Sequence, residues 1–144
     1  MGKQVQDVMT ANPVTVSRTD TVIAAARLME SADVGSVPVV DGGTPVGIVT
    51  DRDIVVKVVA AGKDPAKAQV GSIIRRSPAV VREDQGILDA TRMLSRRGVR
   101  RLPVVGKGGK LVGIVSLDDI LMLLGSEMGH IASALASELG RAKI

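Results

Sequence analysis

Apolar residues recur at helical spacing in two well-separated stretches of the chain. Both stretches follow the i, i+3, i+4, i+7 pattern of a helix that buries one face. The positions that carry the pattern are Val22, Ala25, Ala26 and Met29 in the first stretch and Ile87, Ala90, Thr91 and Leu94 in the second. We therefore predict two matching amphipathic helices.

Two short β-rich runs follow each of these helices, with a glycine-containing turn between them. The first pair is SVPVV and VGIV, joined by DGGT, and the second is RLPVV and LVGIV, joined by GKGG. Such turns between β-branched runs predict hairpins. A turn or short strand that ends near Pro13 or Pro78 should precede each amphipathic helix. A second helix should begin after Thr50 or Ser116.

The two halves of the chain align with each other, which indicates an internal repeat. The aligned pairs include Pro13 with Pro78, Pro38 with Pro103 and, after one extra residue in GKGGK, Gly47 with Gly113 and Asp53 with Asp119. Each unit is predicted to be strand–helix–strand–strand–helix, in the α/β (α+β) class. One unit is too small to cover both faces of its sheet, so the two should pack together. We place the units at residues 1–62 and 63–124, with a C-terminal amphipathic helix at 125–144.

The chain resembles a tandem pair of cystathionine-β-synthase (CBS) domains, of the kind that forms stand-alone prokaryotic proteins. The resemblance covers about residues 5–124 and depends on PVTV, VPVV, GIVTDRDI and GIVSLDDI. It implies pseudo-twofold symmetry and two clefts between the repeats, which in many relatives bind AMP, ADP, ATP or S-adenosylmethionine. It also implies a non-catalytic regulatory module that signals by conformational change.

Thr50 and Asp53 have the chemistry to hold a nucleotide at the start of a helix. Unpaired N–H groups at a helix start favour an anion, and the Thr50 hydroxyl can donate to a phosphate. A carboxylate one turn later can accept from both hydroxyls of a ribose, each bond contributing roughly 1.5–3 kcal/mol. Ser116 and Asp119 repeat the pattern. The alternative is a capping box, in which these residues only cap the helix.

The resemblance implies that each site combines residues of both repeats. One site would contain Ile48, Thr50, Asp53, Ala79, Val99, Arg100 and Arg101. The other would contain Val14, Val34, Gly35, Ile114, Ser116 and Asp119. Because Arg100 and Arg101 have Gly35 and Ser36 as counterparts, we expect the Asp53 site to prefer the more phosphorylated ligand. The alternative is that these arginines form a solvated face.

Composition limits the other functions. The chain contains no Phe, Tyr or Trp, so it has no aromatic platform for single-stranded nucleic acid. Its net charge of +4 is modest, although a nucleic-acid-binding role for the Arg96–Arg101 cluster remains the alternative. The absence of cysteine suits a cytoplasmic protein and offers no thiolate metal site, and we recognise no catalytic motif.

The predicted partners follow from the same features. We expect an adenine nucleotide or S-adenosylmethionine as ligand, no required cofactor, and Mg²⁺ only as a companion of ATP. The apolar residues Met128, Ile131, Leu135 and Leu139 predict a disc-like homodimer that uses the C-terminal helix; the alternative is that this helix folds back on its own module. The longest apolar run, Ile120 to Leu124, is too short for a bilayer, so no membrane partner is predicted. The effector protein is unknown.

Overall fold

The computed structural model describes residues 2–74 and 79–142, and within them the chain forms five α-helices and seven strands. The helices are α1 (Val5–Val8), α2 (Val22–Ala32), α3 (Asp51–Ile54), α4 (Ile87–Arg97) and α5 (Leu117–Ala142). The strands are β1 (Thr10–Ala11), β2 (Val16–Ser17), β3 (Ser36–Asp41), β4 (Thr44–Thr50), β5 (Val81–Arg82), β6 (Arg101–Val105) and β7 (Leu111–Ser116). The turn predicted at Pro78 lies outside the described residues.

Helices α2 and α4 confirm the two matching amphipathic helices. Helix α2 begins where the Thr21 hydroxyl accepts a hydrogen bond from the Ala24 amide at 3.3 Å. Helix α4 ends at Gly98, whose φ of 62° is in the left-handed region that glycine adopts easily. The buried residues of the two faces are Val22, Ala25 and Met29 in α2 and Ala90 and Leu94 in α4.

Each repeat forms its predicted hairpin and a sheet around it. Strand β3 pairs antiparallel with β4 and parallel with β2, whereas β6 pairs antiparallel with β7 and parallel with β5. Both hairpins have a register shift at the same place, next to Val40 in one and Val105 in the other. This agreement shows that the sequence repeat is also a structural repeat, and the α/β class is confirmed.

Strand β1 belongs to the sheet of the other repeat. Thr10 and Ala11 pair antiparallel with Ile114 and Gly113 of β7, and the Asn12 amide donates to Val112 O at 3.1 Å. The first part of the first repeat therefore runs along the last strand of the second.

The hydrophobic cores show the same exchange. Val5 of α1 is fully buried in the core that α4, β6 and β7 form. Val70 and Ile73, in the first part of the second repeat, are buried in the core that α2, β3 and β4 form. Both cores thus cross the division that we placed between residues 62 and 63, and neither repeat completes its own core.

Helix α5 is continuous from Leu117 to Ala142 and includes the position, residue 124, where we placed the end of the second repeat. Gly125 and Gly129 lie inside it without interrupting it. The segment Leu117–Gly140 has the length and apolar composition of a membrane-spanning helix, and only 6% of its most apolar window is buried. Charged residues interrupt this segment, so the longest uninterrupted apolar run remains short.

Candidate functional site

A cleft of about 710 Å³ lies at the ends of β4 and α4. It brings together all seven residues that the sequence predicted for the Asp53 site, which are Ile48, Thr50, Asp53, Ala79, Val99, Arg100 and Arg101. Strands β4 and β6 are in contact, so the cleft receives residues of both repeats. Their grouping in one cleft agrees with the prediction, and their role in binding stays a prediction.

Thr50 and Asp53 form a reciprocal capping box at the start of α3. The Asp53 amide donates to Thr50 Oγ1 at 3.1 Å, and the Thr50 amide donates to Asp53 Oδ2 at 3.0 Å. The capping interpretation of this motif is therefore correct for the free protein. The box also fixes both side chains at the wall of the cleft, so capping and ligand binding are compatible.

The second carboxylate oxygen of Asp53 faces Lys57, a residue that the sequence analysis did not assign to the site. Lys57 Nζ lies 3.5 Å from Asp53 Oδ1 and donates to the Ile73 carbonyl at 2.8 Å. The two side chains are 43% and 26% exposed, so solvent screens their attraction only in part. Helix α3 continues directly into a π-helical segment, Val55–Val59, and the spacing of four residues within this helical stretch was the available signal for the pair.

The cleft has a surplus of positive charge. Five basic residues line it against two acidic ones: Arg52, Lys57, Arg97, Arg100 and Arg101 against Asp51 and Asp53. Arg100 Nη2 also lies 3.6 Å from Asp118 Oδ1, in a pair whose side chains are largely exposed. Arg97 and Arg100 are exposed and also line the cleft, so both interpretations of the arginine cluster apply to them, whereas Arg101 is half-buried at the cleft.

The remaining lining residues, Gly98, Leu102 and Pro103, belong to the C-terminus of α4 and to β6. Leu102 is 1% exposed and Pro103 is buried. Together with Ile48, Ala79 and Val99 they give the cleft an apolar part beside its basic part. No periodicity in the sequence marks which β6 residues face a cleft, so sequence reasoning missed these three.

Ser116 and Asp119 repeat the capping box at the start of α5. The Ser116 amide donates to Asp119 Oδ2 at 2.8 Å, and the Asp119 amide donates to Ser116 Oγ at 3.1 Å. Ile114 lies opposite Thr10 of β1, which places the segment that leads to Val14 beside the same strand. Three residues of the predicted second site, Ile114, Ser116 and Asp119, thus lie in β7 or directly after it, and the place of Val14 in this site stays a prediction.

Val34 and Gly35 lie just before β3. The Gly35 carbonyl accepts from the Asp51 amide at 3.0 Å, and the Arg100 carbonyl accepts from the Leu117 amide at 2.8 Å. These two bonds are equivalent in the repeats, so Gly35 and Arg100 occupy corresponding positions. The contacts described for Gly35 join it to its own repeat, so its place in the Asp119 site stays a prediction.

The CBS domain family matches this chain twice, over residues 5–60 and 70–126. Protein MK0525 of Methanopyrus kandleri, which is uncharacterized, is 38% identical over 119 residues, covering 82% of this chain and 58% of that protein. The CBS domain-containing protein YhcV of Bacillus subtilis is 36% identical over 116 residues, 81% of each chain. This chain therefore spans a little over half of MK0525 and most of YhcV.

Solved structures give the same fold. CBSX2 in complex with AMP has a TM-score of 0.74 at 32% identity, covering 88% of this chain and 99% of that one. The CBS domain pair of MJ0100 in complex with 5′-methylthioadenosine and S-adenosylmethionine has a TM-score of 0.78 at 27% identity, with the same coverage.

A third solved structure, Hypoxic Response Protein I, contains two coordinated zinc ions and has a TM-score of 0.76 at 35% identity, covering 83% of this chain and 98% of that one. Across residues 2–74 and 79–142 of this chain, no group of three or more His, Cys, Asp or Glu side chains is placed to hold a metal. The repeated fold and both family matches show that this protein belongs to the CBS domain family, as a tandem pair of CBS domains.

Proposed function

We propose that this protein is a non-catalytic regulatory module that binds an adenosine-containing ligand in the Asp53 cleft. AMP, ADP and ATP form the expected class, with S-adenosylmethionine as the second choice. The observation that carries the proposal is a single cleft that joins a helix-start hydroxyl, a partly buried carboxylate and a basic wall to an apolar surface. Relatives of the same fold were solved with AMP and with S-adenosylmethionine.

Asp53 supplies the ribose contact. Its Oδ2 atom accepts from the Thr50 amide, whereas Oδ1 faces the Lys57 ammonium at 3.5 Å, a distance longer than a good hydrogen bond. A ribose diol can donate to Oδ1 and share Oδ2, because a carboxylate has about four acceptor positions. Sugar binding therefore does not require the helix cap to open.

Thr50 and the basic residues supply the phosphate contacts. Thr50 Oγ1 accepts from the Asp53 amide, which leaves its own hydrogen free to donate to a phosphate oxygen. Lys57 and Arg101 lie on the same cleft and supply the balancing positive charge. Guanidinium groups bind phosphate through two parallel hydrogen bonds, so a longer phosphate chain gains more from this wall.

The adenine would lie on aliphatic side chains. Ile48, Ala79 and Val99 line the cleft, and the chain offers no aromatic ring for stacking. Each dispersion contact of this kind is weak, but the contacts add up over the whole face of the adenine ring.

The remaining assignments follow from the same module. The Asp119 site would bind a second, less phosphorylated ligand, and Mg²⁺ would enter only with ATP. The protein would act in the cytoplasm as a homodimer and signal to an effector protein through a change of shape.

A panel of ligands tests the proposal. We expect the melting temperature of the full chain to rise with AMP, ADP or ATP. At a hundredfold excess over the dissociation constant, binding should stabilise the fold by about 2.7 kcal/mol. No shift with any adenine nucleotide and none with S-adenosylmethionine would refute it.

A further inference from the structure

Helix α5 continues far beyond the core that it helps to build. Ile120, near its start, is 2% exposed, and every described residue from Leu124 to Gly140 is exposed. Most of this helix therefore has no partner in the described part of its own chain, although its outer part contains large apolar side chains.

Those side chains form one stripe on the helix. They recur at intervals of three or four residues and are between 52% and 64% exposed: Leu121, Leu124, Met128, Ile131, Leu135 and Leu139. The opposite face is mainly polar and contains Ser126, His130, Ser133 and Ser137, with Met122 as its one large apolar residue near the start of the helix. A one-sided stripe suits packing against another helix, whereas a helix that crosses lipid alone is apolar on all sides. Glu127 would also lie near the middle of the bilayer, where a carboxylate is costly.

We propose that a second copy of this chain covers the stripe, with its α5 running antiparallel. The stripe is symmetric about the peptide that joins Gly129 and His130. An antiparallel pair centred there sets Leu121 against Leu139, Leu124 against Leu135 and Met128 against Ile131. A twofold interface needs this property, because residue i must contact residue j while j contacts i.

Gly125 lies at the edge of this stripe. A Cβ there would meet no atom within 4 Å among the described residues, and a small residue at this position allows a second helix to approach closely. Gly129 and Gly140 lie on the side of the helix away from the stripe.

The position of Glu138 disfavours a parallel pair of α5 helices. Continuing the spacing of the stripe past Leu135 reaches Glu138 as well as Leu139. In a parallel pair, the Glu138 carboxylates of the two copies would lie together in the apolar seam, where like charges repel. In the antiparallel pair, Glu138 lies near Leu121 of the other copy, at the open end of the seam.

Disulfide trapping tests whether a second copy covers the stripe and whether its α5 runs antiparallel. The natural chain contains no cysteine, so only the introduced ones can crosslink. Full-length Leu124→Cys and Leu135→Cys proteins should each stay uncrosslinked under mild oxidation and should form a disulfide-linked heterodimer when mixed. Ser126→Cys mixed with Ser133→Cys is the matched control on the polar face and should not crosslink. Crosslinking of Leu124→Cys with itself, or equal crosslinking in the control, would overturn the antiparallel seam.

The mass in solution provides the second readout. The chain has a mass of 14.9 kDa, and light scattering should find about twice that mass for the natural protein and the single mass for Met128→Glu. Ser133→Glu, on the polar face, should remain a dimer. The proposal would be overturned if the natural protein is a monomer or if Met128→Glu is still a dimer. Co-sedimentation of the natural protein with phosphatidylcholine vesicles would also overturn it. The inference depends on the homodimer in the proposed function and needs no nucleotide, so failure of ligand binding leaves it standing.

Discussion

At the residue scale, the capping box is both a structural element and the centre of the proposed site. Thr50 and Asp53 satisfy each other's amides, and the same arrangement recurs at Ser116 and Asp119. The fold thus holds the two ligand-facing groups in place before any ligand arrives, which reduces the entropy that binding costs.

Substitution of Thr50 separates the two roles. Thr50→Ala should lower the free energy of unfolding by about 1 kcal/mol, because the Asp53 amide loses its acceptor. It should also weaken nucleotide binding. Ser116→Ala should give a similar loss of stability and leave the affinity of the Asp53 cleft unchanged. Urea denaturation and calorimetric titration of both variants check this, and Thr50→Ser, which keeps the hydroxyl, should behave as the natural protein.

Arg101 should distinguish ligands by their phosphate chains. Its counterpart in the first repeat is Ser36, so Arg101→Ser gives the Asp53 cleft the residue of the other site. We expect this variant to lose more affinity for ATP than for AMP, because the longer chain gains more from a guanidinium. Loss of one charge-assisted hydrogen bond corresponds to roughly a 10- to 100-fold weaker dissociation constant for ATP. Equal losses for ATP and AMP would show that Arg101 does not contact the outer phosphates.

At the element scale, the exchange of α1 and β1 between the repeats is the main feature of the fold. Val5 completes the second core, and Val70 completes the first. The two halves therefore depend on each other through the segments at the start of each repeat.

Truncation of Val5 tests this dependence. Val5→Ala should destabilise the whole protein by about 2 kcal/mol, a cost between those typical of Ile→Val and Leu→Ala in a core. Val59→Ala is the matched control, because Val59 is 65% exposed and lies on a helical segment, and it should change stability by less than about 0.5 kcal/mol. The midpoint of urea unfolding measures both, and equal midpoints for the two variants would contradict the exchanged core.

The sequence predicted those elements whose signal is local. The faces of α2 and α4 follow from helical periodicity, and both hairpins follow from glycine turns between β-branched runs. The pairing of β1 with the other repeat has no such signal, because a strand of two residues is too short for a pattern that would predict its partner strand. The apolar spacing of the tail predicted a helix there, but the boundary that we placed at residue 124 falls inside α5; Gly125 and Gly129 weaken a helix and do not interrupt this one.

At the scale of the whole molecule, the site was predictable to the extent that the repeat was. The seven residues of the Asp53 cleft followed from the family resemblance and lie together in the structure. Lys57, Leu102 and Pro103 did not follow, because their place depends on how β4 and β6 meet. The contact between β4 and β6 is a tertiary contact between the repeats, so the sequence pattern of neither repeat predicts it.

Because both repeats line the Asp53 cleft and share their cores, unfolding should be a single cooperative event. Scanning calorimetry should show one transition for the free protein. Saturating ATP should move that transition as a whole, since the ligand contacts residues of both repeats. Two separate transitions, of which ATP shifts only one, would contradict mutual dependence of the repeats.

The most direct test of the account is a calorimetric titration of ATP into the natural protein, Asp53→Asn and Asp119→Asn. Asparagine keeps an oxygen that can cap the helix but loses the negative charge that a ribose diol prefers. We predict that Asp53→Asn binds at least about 10-fold more weakly at the tighter site and that Asp119→Asn retains that site unchanged. If Asp53→Asn binds ATP as tightly as the natural protein does, the ligand does not lie in the Asp53 cleft.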